Sequence, residues 1–586
     1  MPLLPPLRSI FRTTVGLLTT CLLMVGGAES RAQAPRRPVA ATSRAISTDP
    51  KLVVRGERLF ENQCSPCHNF RQKGIGPSLG QATTESSPDW LRAFIRNAPG
   101  QIARRDPRAL RLYEEYKQAM PAFPHLTATD VEALLAYLHG NRQAEPTASE
   151  TDAALSDPIP EKIPKSGLRL GLEEVLTAPA TAPKAPLARL NKMAVLPGPP
   201  DRVFLQELRG LLYELAGNDL RVAMDIRPLR PRFTHAPGLA TGFGSFAFHP
   251  EFLKNGLLYT THAEPAGMAP ADFAYADSVR VALQWVLTEW KIENPTAPTF
   301  AGPGRELLRV NVVTAIHGMQ DIAFNPLAQP GSPDYGLLYV GIGDGGATEH
   351  GHGDLCADNR HVWGSVLRID PGDRNARNGR YGIPPDNPFV GDPAAVGEIY
   401  CRGFRNPNRL TWTPDGRLLV TDIGQANAEE LNVALAGADY GWPHREGTFR
   451  LNPAGKMNLV YPRPADEAPG RYAYPAAQYD HDEGNAISGG VVYTGSAVPA
   501  LRGKYVFGDV VNGRVFFVES SALHPGVLAP IQELDVEVAG RPTTFQQRTG
   551  AKKTDFRIGT GLNGELYFFT KTDGKLYRVT GCAPVR

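Results

Sequence analysis

The sequence predicts a multidomain protein in which a small all-α domain precedes a larger all-β domain. Its 586 residues exceed the size at which a single hydrophobic core keeps growing, so at least two domains are expected. The 59 glycines and 53 prolines indicate many turns and favour a β-rich architecture for most of the chain. Helical spacing of apolar residues marks the first part, and short strand patterns recur behind it.

The N-terminus, residues 1–34, is predicted to be a cleavable export signal. Arg8 and Arg12 precede an apolar run from Val15 to Val25, and Ala32-Gln33-Ala34 offers a cleavage site. The run is short for a membrane span, which leaves a membrane anchor as the alternative. We therefore expect a periplasmic or secreted protein with no membrane span after cleavage.

The charge balance excludes two classes of partner. Lysine and arginine number 62, aspartate and glutamate number 60, and the formal net charge is +2. No overall field attracts the chain to nucleic acid or to anionic lipid.

A covalent haem site is predicted at Cys64-Ser65-Pro66-Cys67-His68. This C-x-x-C-H spacing lets two thiols add to the haem vinyl groups while the adjacent imidazole binds the iron. A dithiol redox pair and half of a zinc site are the alternatives, but the sequence contains no second cysteine pair.

Helical patterns flank this motif. Leu52, Leu59 and Phe60 lie before it, and a second helix is predicted from Pro88 to Asn97. A third helix ends at Gly140 and begins with a cap from Thr127 and Asp130.

Residues 51–140 resemble a small class I cytochrome c. Met120-Pro121 precedes the last helix, where such domains carry their second axial ligand, so the resemblance implies iron ligation by His68 and Met120. It also implies that the Pro77 carbonyl orients His68. The alternative makes His125 or His139 the ligand and Met120 a core residue.

Behind this domain, residues 141–165 are rich in Pro, Ala, Ser, Asp and Glu and predict a linker. From residue 166 to 586 a turn with Gly or Asp repeatedly precedes an apolar strand, and six such instances predict a six-bladed β-propeller with long loops. A sandwich is the alternative, because strand periodicity does not fix closure. The six segments are Val203-Phe204-Leu205, Leu257-Leu258-Tyr259, Leu337-Leu338-Tyr339, Leu418-Leu419-Val420, Tyr505-Val506-Phe507 and Leu566-Tyr567-Phe568.

An ordered series of motifs gives the large domain a second resemblance. About residues 195–580 resemble the glucose/sorbosone dehydrogenase family, whose soluble members use pyrroloquinoline quinone (PQQ). The motifs are Phe246-Ala247-Phe248-His249-Pro250, Gly343-Asp344-Gly345-Gly346, Leu367-Arg368-Ile369-Asp370-Pro371, Gly403-Phe404-Arg405-Asn406-Pro407, Tyr440-Gly441-Trp442-Pro443 and Ser488-Gly489-Gly490-Val491-Val492-Tyr493.

The resemblance implies catalytic roles. His317 matches the general base that takes the proton of the sugar hydroxyl, and Asp344 matches the acid that orients it. Arg405 and Asn406 match the pair that contacts the quinone. A purely structural histidine is the alternative for His317.

It also implies calcium. The carbonyls of Gly424 and Gln425 match the pair that holds the cofactor's Ca²⁺, although the family has Gly-Pro there. Glu430 and the Tyr440 carbonyl match a second Ca²⁺ site. As a bare pattern, Glu429-Glu430 is more typical of a solvated charge pair.

Two departures limit the comparison. Ala240 occupies the place of a glutamine that touches the sugar in some members, so the sugar preference does not transfer. The cations that grip the PQQ carboxylates have no clean counterpart, and Arg514 and Arg557 are the nearest candidates.

The sequence thus predicts a quinohaemoprotein dehydrogenase that oxidises a sugar or sugar-derived aldehyde through PQQ and Ca²⁺. Its haem c would pass electrons to a respiratory acceptor. A Ca²⁺-dependent propeller lactonase and a non-catalytic binding propeller are the alternatives. We also predict a Cys356–Cys401 disulfide, because both residues flank motifs expected around one pocket, whereas Cys582 lies near the C-terminus.

Overall fold

The computed structural model describes residues 45–144 and 153–585. The predicted export signal lies outside the described residues, as do residues 145–152 of the predicted linker. Within the described ranges, no helix is both long enough and apolar enough to cross a membrane.

The N-terminal domain contains only helices among its described residues, as predicted. Thr127 and Asp130 form the predicted capping box, in which each side chain accepts a hydrogen bond from the other's backbone N–H. The second predicted helix extends to Ala103 but breaks at Asn97, where the backbone leaves the helical region. The helices are α1 (Pro50–Gln63), α2 (Ala82–Glu85), α3 (Pro88–Ala103), α4 (Pro107–Tyr116) and α5 (Ala128–Gly140).

The core of this domain lies between α1, α3 and α5. Phe60, Leu91, Leu134 and Leu138 are buried together there. A Cβ atom on Gly56 would lie 1.9 Å from the Ala133 carbonyl oxygen, so glycine is required for the close approach of α1 to α5. This packing fixes the end of α1, which carries the haem-attachment motif.

Part of the predicted linker lies against the large domain. The N–H of Leu155 donates to the Val460 carbonyl at 2.9 Å, and the N–H of Ile159 donates to Asp480 Oδ2 at 3.1 Å. Residues 153–164 are therefore bound to the β-domain rather than forming a free connection.

The regular secondary structure of the large domain is mostly β-strand, with long loops between the strands. Three α-helices occur in its described part, each of five residues or fewer, besides short 3₁₀ turns: α6 (Ile226–Leu229), α7 (Phe252–Asn255) and α8 (Phe545–Thr549). The strands are β1 (Lys165–Thr177), β2 (Leu190–Leu196), β3 (Arg202–Glu207), β4 (Leu211–Ala216), β5 (Asp219–Asp225), β6 (Phe243–Phe248), β7 (Leu257–Pro265), β8 (Leu283–Lys291), β9 (Gly304–Val312), β10 (Met319–Phe324), β11 (Leu338–Ile342), β12 (Ser365–Ile369), β13 (Ile399–Arg402), β14 (Pro407–Trp412), β15 (Leu418–Asp422), β16 (Ala428–Ala434), β17 (Arg445–Glu446), β18 (Phe449–Leu451), β19 (Val460–Tyr461), β20 (Ala477–Asp480), β21 (Ile487–Val492), β22 (Lys504–Asp509), β23 (Val515–Glu519), β24 (Gln532–Val538), β25 (Arg541–Thr543), β26 (Phe556–Thr560), β27 (Leu566–Thr570) and β28 (Lys575–Pro584).

These strands form a propeller-like arrangement of sheets. Four sheets have four strands each, in the orders β2-β3-β4-β5, β6-β7-β8-β9, β10-β11-β12-β13 and β14-β15-β16-β20. A nine-stranded sheet runs β21-β22-β23-β24-β1-β28-β27-β26, with β25 beside β24, and β17-β18-β19 form a small separate sheet. The strand β1, which the sequence analysis did not foresee, pairs in parallel with β24 and antiparallel with β28.

If β21–β24 and β26–β28 are taken as two groups beside the four four-stranded sheets, the first strands of these groups follow one another in a closed ring of contacts. Strand β2 contacts β6, β6 contacts β10, β10 contacts β14, β14 contacts β21, β21 contacts β26, and β26 returns to β2. Each of the six apolar segments in the sequence lies in the second strand of a group, namely β3, β7, β11, β15, β22 or β27. The recurring pattern therefore identified one equivalent strand in every group.

The predicted Cys356–Cys401 disulfide is wrong. Both residues are free thiols, and burial raises the pKa of each one. Cys356 packs in the cluster that includes Trp363, whereas Cys401 packs with Phe404 and Tyr440 in a different cluster. The two cysteines lie near the predicted motifs in sequence but pack in separate clusters.

Candidate active site and haem-attachment site

The haem-attachment motif follows α1 directly. The N–H of Cys64 donates to the Phe60 carbonyl at 2.7 Å, and the N–H of His68 donates to the Cys64 carbonyl at 3.0 Å. The two thiols and the imidazole are therefore carried on one continuous turn, as attachment of a single haem requires.

The orientation of His68 is set by the backbone. Its Nδ1 donates to the Pro77 carbonyl at 2.9 Å, so Nε2 is the ring nitrogen left to bind iron, and the predicted Pro77 contact is present. Burial lowers the pKa of His68, which favours the neutral form that binds metal. A Cβ on Gly76 would lie 2.4 Å from His68 Cε1, so glycine is needed beside the ring.

The predicted second ligand, Met120, is half-buried in the segment between α4 and α5. The N–H of Phe123 donates to the Arg96 carbonyl at 3.1 Å and ties this segment to α3. His125 is exposed with Nε2 3.0 Å from Gln63 Oε1, and His139 Nδ1 is 3.3 Å from Thr83 Oγ1. Both histidines thus have other partners, and Met120 remains the predicted ligand.

His317 and Asp344 form a buried pair in the large domain. The His317 Nδ1 lies 2.8 Å from Asp344 Oδ1, and His317 is 7% exposed. Burial and the nearby Arg405 charge lower the pKa of His317, although Asp344 opposes this. Burial alone would raise the pKa of Asp344, but the hydrogen bond and charge of His317 outweigh it and lower that pKa.

Glycines allow the chain to hold His317 in this place. His317 has a φ of 53°, a left-handed conformation that is uncommon outside glycine. A Cβ on Gly343 would lie 2.5 Å from the His317 carbonyl oxygen, and one on Gly318 would lie 1.9 Å from Trp285 Nε1. The same conformation occurs at Arg105, Lys117 and Ala539 among the described residues, so it fixes the position of His317 without identifying its role.

Arg405 lies beside this pair and is nearly saturated with hydrogen bonds. Its Nε donates to Gln425 Oε1 at 2.8 Å, and Nη1 donates to the carbonyls of Ile423 at 3.1 Å and Gly424 at 2.8 Å. Its Nη2 donates to Glu349 Oε1 at 2.8 Å. Since a guanidinium has five N–H groups, one N–H on Nη2 remains for a ligand.

Asp422, at the end of β15, orders the backbone beneath the site. Its two carboxylate oxygens accept the N–H groups of Arg405 at 2.9 Å and Asn406 at 2.6 Å. The Asp344 N–H donates to the Arg405 carbonyl at 2.8 Å. The two predicted motifs, Gly343-Asp344 and Arg405-Asn406, are therefore joined directly.

The loop after β15 wraps around a second carboxylate. Glu446 Oε1 accepts the backbone N–H groups of Gln425, Ala426, Asn427 and Ala428 at 2.8 to 3.1 Å. A Cβ on Gly424 would lie 1.8 Å from the Ala428 carbonyl oxygen, so the loop requires glycine there. The Gly424 carbonyl faces Arg405.

The adjacent pair Glu429-Glu430 is buried rather than solvated. Glu429 Oε1 lies 2.9 Å from His481 Nε2, and Glu430 accepts from the Gly447 N–H and from Asn432 Nδ2. Glu430 lies opposite Asp422 in the strand register. Burial raises the pKa of Glu430 to about 7, the hydrogen bonds from Asn432 and Gly447 oppose this rise, and the charge of Glu446 adds to it.

Tyr440 is 4% exposed and its hydroxyl donates to the Val433 carbonyl at 2.5 Å. Burial, with a smaller contribution from the Glu430 charge, raises its pKa. Glu430 and Tyr440 are thus both buried, and the Glu430 charge acts on the Tyr440 hydroxyl, while the calcium role of the Tyr440 carbonyl stays a prediction.

Of the two arginines predicted to grip the cofactor, Arg514 is engaged elsewhere. Its Nη1 ion-pairs with Glu483 and its Nη2 lies 2.6 Å from Glu533 Oε2. Glu483 lies in the turn between β20 and β21 and Glu533 lies in β24, so the guanidinium already has two carboxylate partners.

Arg557 belongs instead to a cluster of buried cations. Its Nε lies 3.3 Å from Asn191 Oδ1, and Lys571 Nζ lies 3.0 Å from the same oxygen. Burial and the Arg409 charge lower the pKa of Arg557 to about 10, and burial and the Arg557 charge lower the pKa of Lys571 strongly. The carboxylate of Asp555 offsets part of this positive charge, and the remainder fits an anionic ligand.

Lys571 lies at the same end of the large domain as the loops around His317, because it follows the second strand of its group. It follows β27 directly, as Gly343-Asp344 follows β11 and Ile423-Gly424 follows β15, and these are equivalent strands of their groups. Sequence reasoning missed Lys571, Glu349 and Glu446, because each acts through partners distant in sequence. Only the place of Lys571 after the sixth recurring segment could have signalled its role.

Several buried polar atoms at the site have no partner in the protein. They are Asp344 Oδ2, Asn406 Oδ1 and Trp442 Nε1. Unpaired buried polar atoms are costly, so they indicate a polar ligand. Elsewhere in the described residues, ligand atoms of Asp157, Asp480 and Asp482 lie within 4.8 Å of one another, and none of these residues was predicted to bind calcium.

Two family models match the chain. The model described as glucose/sorbosone dehydrogenase matches residues 190–578, about two thirds of the chain, and the cytochrome c model matches residues 53–141. The two matches leave the predicted linker between them.

Curated relatives and a solved structure agree with these matches. The HIPL1 protein of Arabidopsis thaliana is 23% identical over 433 residues, covering 65% of this chain and 59% of that protein. Quinoprotein glucose dehydrogenase B of Acinetobacter calcoaceticus is 27% identical over 286 residues, covering 45% and 52%. The chain thus spans little more than half the length of these relatives.

A crystal structure of a glucose dehydrogenase superposes with a TM-score of 0.51 at 19% identity, covering 70% of this chain and 99% of that chain. At that identity the likeness concerns the fold of the large domain alone.

Proposed function

The chain belongs to the glucose/sorbosone dehydrogenase family and carries an N-terminal cytochrome c domain, and from this we propose that it is a dehydrogenase that oxidises a sugar or sugar-derived aldehyde. PQQ is the proposed primary oxidant, haem c the internal acceptor, and a respiratory protein the final one. We further propose that the protein acts in the periplasm or outside the cell, after removal of residues 1–34.

The observation that carries this proposal is the tautomer of His317. A carboxylate can only accept, so the hydrogen bond to Asp344 requires the proton on Nδ1 and leaves Nε2 as a free base. The lowered pKa keeps the ring neutral at pH 7. His317 Nε2 is thus ready to take the proton of a sugar hydroxyl.

The residues present fit PQQ. Asn406 Oδ1 and the remaining N–H of Arg405 are available beside His317, and the cations Arg557 and Lys571 suit carboxylates. PQQ, when bound, supplies an electrophilic quinone that accepts a hydride. Arg405 would stabilise the negative charge that develops next to it.

Oxidation of one sugar C–H bond releases a hydride equivalent and one proton. His317 takes the proton from the hydroxyl oxygen, and Asp344 stabilises the imidazolium that forms. In all, each sugar would yield two electrons and two protons, so the proton of the hydride equivalent would be released to solvent. Two one-electron reductions of ferric haem, with reoxidation by the external acceptor between them, would account for the two electrons.

Calcium fits by ligand type. The Gly424 and Gln425 carbonyls are oxygen donors of the kind that Ca²⁺ binds. The carboxyl groups of Asp422 and Glu430 are buried nearby with raised pKa values, and a bound cation would favour their ionised forms. The Gly424 carbonyl already accepts from Arg405, so a calcium ion would share this oxygen through its second lone pair. Glu430 and the Tyr440 carbonyl are proposed for the second ion.

We also propose that the large domain has six blades. The ring of first strands has six members, and the nine-stranded sheet divides at β1 into β21–β24 and β26–β28. Strand β1, from the start of the domain, would be the fourth strand of the last blade. Its pairing with β24 would join that blade to the preceding one.

Reconstitution tests the function. The haem-loaded protein is mixed with PQQ and CaCl₂, and aldoses are added under anaerobic conditions while haem absorbance is followed. Sugar-dependent reduction that requires PQQ is the expected result. Lactone hydrolysis without haem reduction would favour the lactonase, and absence of both reactions across a panel of sugars and lactones would favour a binding propeller.

A further inference from the structure

The haem-attachment loop, residues 64–77, contacts the mouth of the propeller site. Gln425 Nε2 donates to the Lys73 carbonyl at 3.1 Å, while Gln425 Oε1 accepts from Arg405 Nε at 2.8 Å. Two hydrogen bonds therefore connect the guanidinium at the active site to the backbone of the loop. Gln72, which is 7% exposed, donates from Nε2 to Met457 Sδ at 3.0 Å.

Glycines allow this close approach on both sides. A Cβ on Gly74 would lie 3.1 Å from Glu349 Oε2, and the other oxygen of Glu349 accepts from Arg405. A Cβ on Gly351 would lie 2.1 Å from Arg71 Nη1. The backbone of one domain thus lies within contact distance of side chains that hold Arg405 in the other.

Two further contacts between the small and the large domain lie outside the haem-attachment loop. Arg280, between β7 and β8, forms an ion pair with Glu61 of α1. Lys552, which precedes β26, lies 4.4 Å from the ring centre of Tyr113 in α4. Arg280 and Lys552 belong to different groups of strands, so the small domain spans the opening of the ring rather than touching one edge.

The connection between the domains is short at this interface. Gln143 is hydrogen-bonded through its N–H to the Gly80 carbonyl in the small domain, and Leu155 is bonded to Val460 in the large one. Residues 145–152 are all that lies between the described parts of the chain.

We propose that the cytochrome domain is a fixed cap on the propeller, docked through the haem-attachment loop, and not a partner that docks repeatedly from a flexible tether. The electron-transfer part of this proposal rests on the proposed function. Each electron released by sugar oxidation crosses the contact at Gln425, Glu349 and residues 71–74, and reduces ferric haem to ferrous haem.

Linker length distinguishes a fixed cap from a tether. For a tether, the effective concentration of the acceptor falls as about the −3/2 power of linker length, so 40 Gly/Ser residues added to the eight of 145–152 would slow haem reduction roughly 15-fold. For a fixed cap, we expect the sugar-driven haem reduction rate to stay within about twofold of the parent protein. A fall of tenfold or more would overturn the proposal.

A charge-reversal series tests the interface without turnover. Hydrogen–deuterium exchange of residues 69–76 is measured in the full haem-loaded chain, with Arg280→Glu, with the rescue pair Glu61→Arg/Arg280→Glu, and with Arg578→Glu as a control. Arg578 pairs with Glu173 and Glu565 inside the propeller. We expect protection in the parent and control, loss in Arg280→Glu and recovery in the pair.

Unprotected loop amides in the parent protein would overturn the docking, whatever the enzyme activity. Protected amides in a protein whose haem no sugar reduces would contradict the proposed function and leave the docking supported. Failure of the docking proposal can therefore be distinguished from failure of the proposed function.

Discussion

The Nδ1 of His317 lies 2.8 Å from Oδ1 of Asp344, and the same carboxylate oxygen accepts the Gly346 N–H at 2.8 Å. The acid is thus fixed by the Gly-Asp-Gly-Gly loop, and it in turn fixes the ring of the base. Neither residue can rotate freely, because Asp344 is fully buried and His317 is held in a left-handed backbone conformation. This relationship determines how the site should respond to pH and to substitution.

The pH dependence of kcat/KM should have an acid limb governed by His317. Burial lowers its pKa below 6.5, and protonation removes the base, so the rate should fall about tenfold per pH unit below that pKa. Asp344 raises the pKa of His317, so Asp344→Asn should move the acid limb to lower pH. Stopped-flow rates with an artificial dye check this, and a limb that moves to higher pH would contradict the assignment.

The part of the site that could be predicted depended on how far apart in the sequence the contacting residues lie. The pairing of His317 with Asp344 was expected from the family resemblance, which also singled out Arg405 and Asn406, and the structure contains the His317–Asp344 hydrogen bond. The ion pairs of Arg514 could not be predicted, because its partners Glu483 and Glu533 lie 31 and 19 residues away in the sequence. The helical caps and the second strand of each group were predicted well, because local spacing determines them. The closing strand β1 was missed because its partners lie at the other end of the domain.

Lys571 and Arg514 should differ in their effect on the cofactor. Among the described contacts, the Lys571 ammonium group has no carboxylate within hydrogen-bond range. Lys571→Ala should therefore weaken PQQ binding by about 10- to 150-fold, the equivalent of ~1.5–3 kcal/mol. Arg514→Ala should change affinity less than about twofold, because Glu483 and Glu533 already hold it. Fluorescence titration of PQQ compares them, and equal losses would contradict this division.

Met120 should set the haem potential. Replacing Met120 by Ala removes the predicted thioether ligand, which should lower the potential and open the iron to small ligands such as imidazole. Spectroelectrochemistry measures both effects, with His125→Ala as the control. A variant whose spectrum and potential match the parent would assign the ligand to another residue.

Asp130 should stabilise the small domain in a pH-dependent way. The Thr127 hydroxyl first, and Arg55 second, lower the pKa of Asp130 to about 2. Its contribution is complete above the ordinary value of 3.8 and is lost as the pH falls through about 2.

Asp130→Ala should therefore cost ~0.5–2 kcal/mol of unfolding free energy at pH 7. Denaturant unfolding followed by haem absorbance measures it, with the exposed helix position Glu114→Ala as the control. A cost that persists unchanged near pH 2 would show that the carboxylate charge is not its source.

The most direct test of the account is sugar-driven haem reduction in His317→Ala. The parent and variant, both loaded with haem, PQQ and Ca²⁺ to equal occupancy, are mixed anaerobically with sugar in a stopped-flow instrument. Loss of the base should slow haem reduction by about 10²- to 10⁴-fold while PQQ affinity changes little. A variant that reduces its haem at the parental rate, under conditions where sugar oxidation limits that rate, would contradict the central claim that His317 begins the chemistry whose electrons leave through the haem.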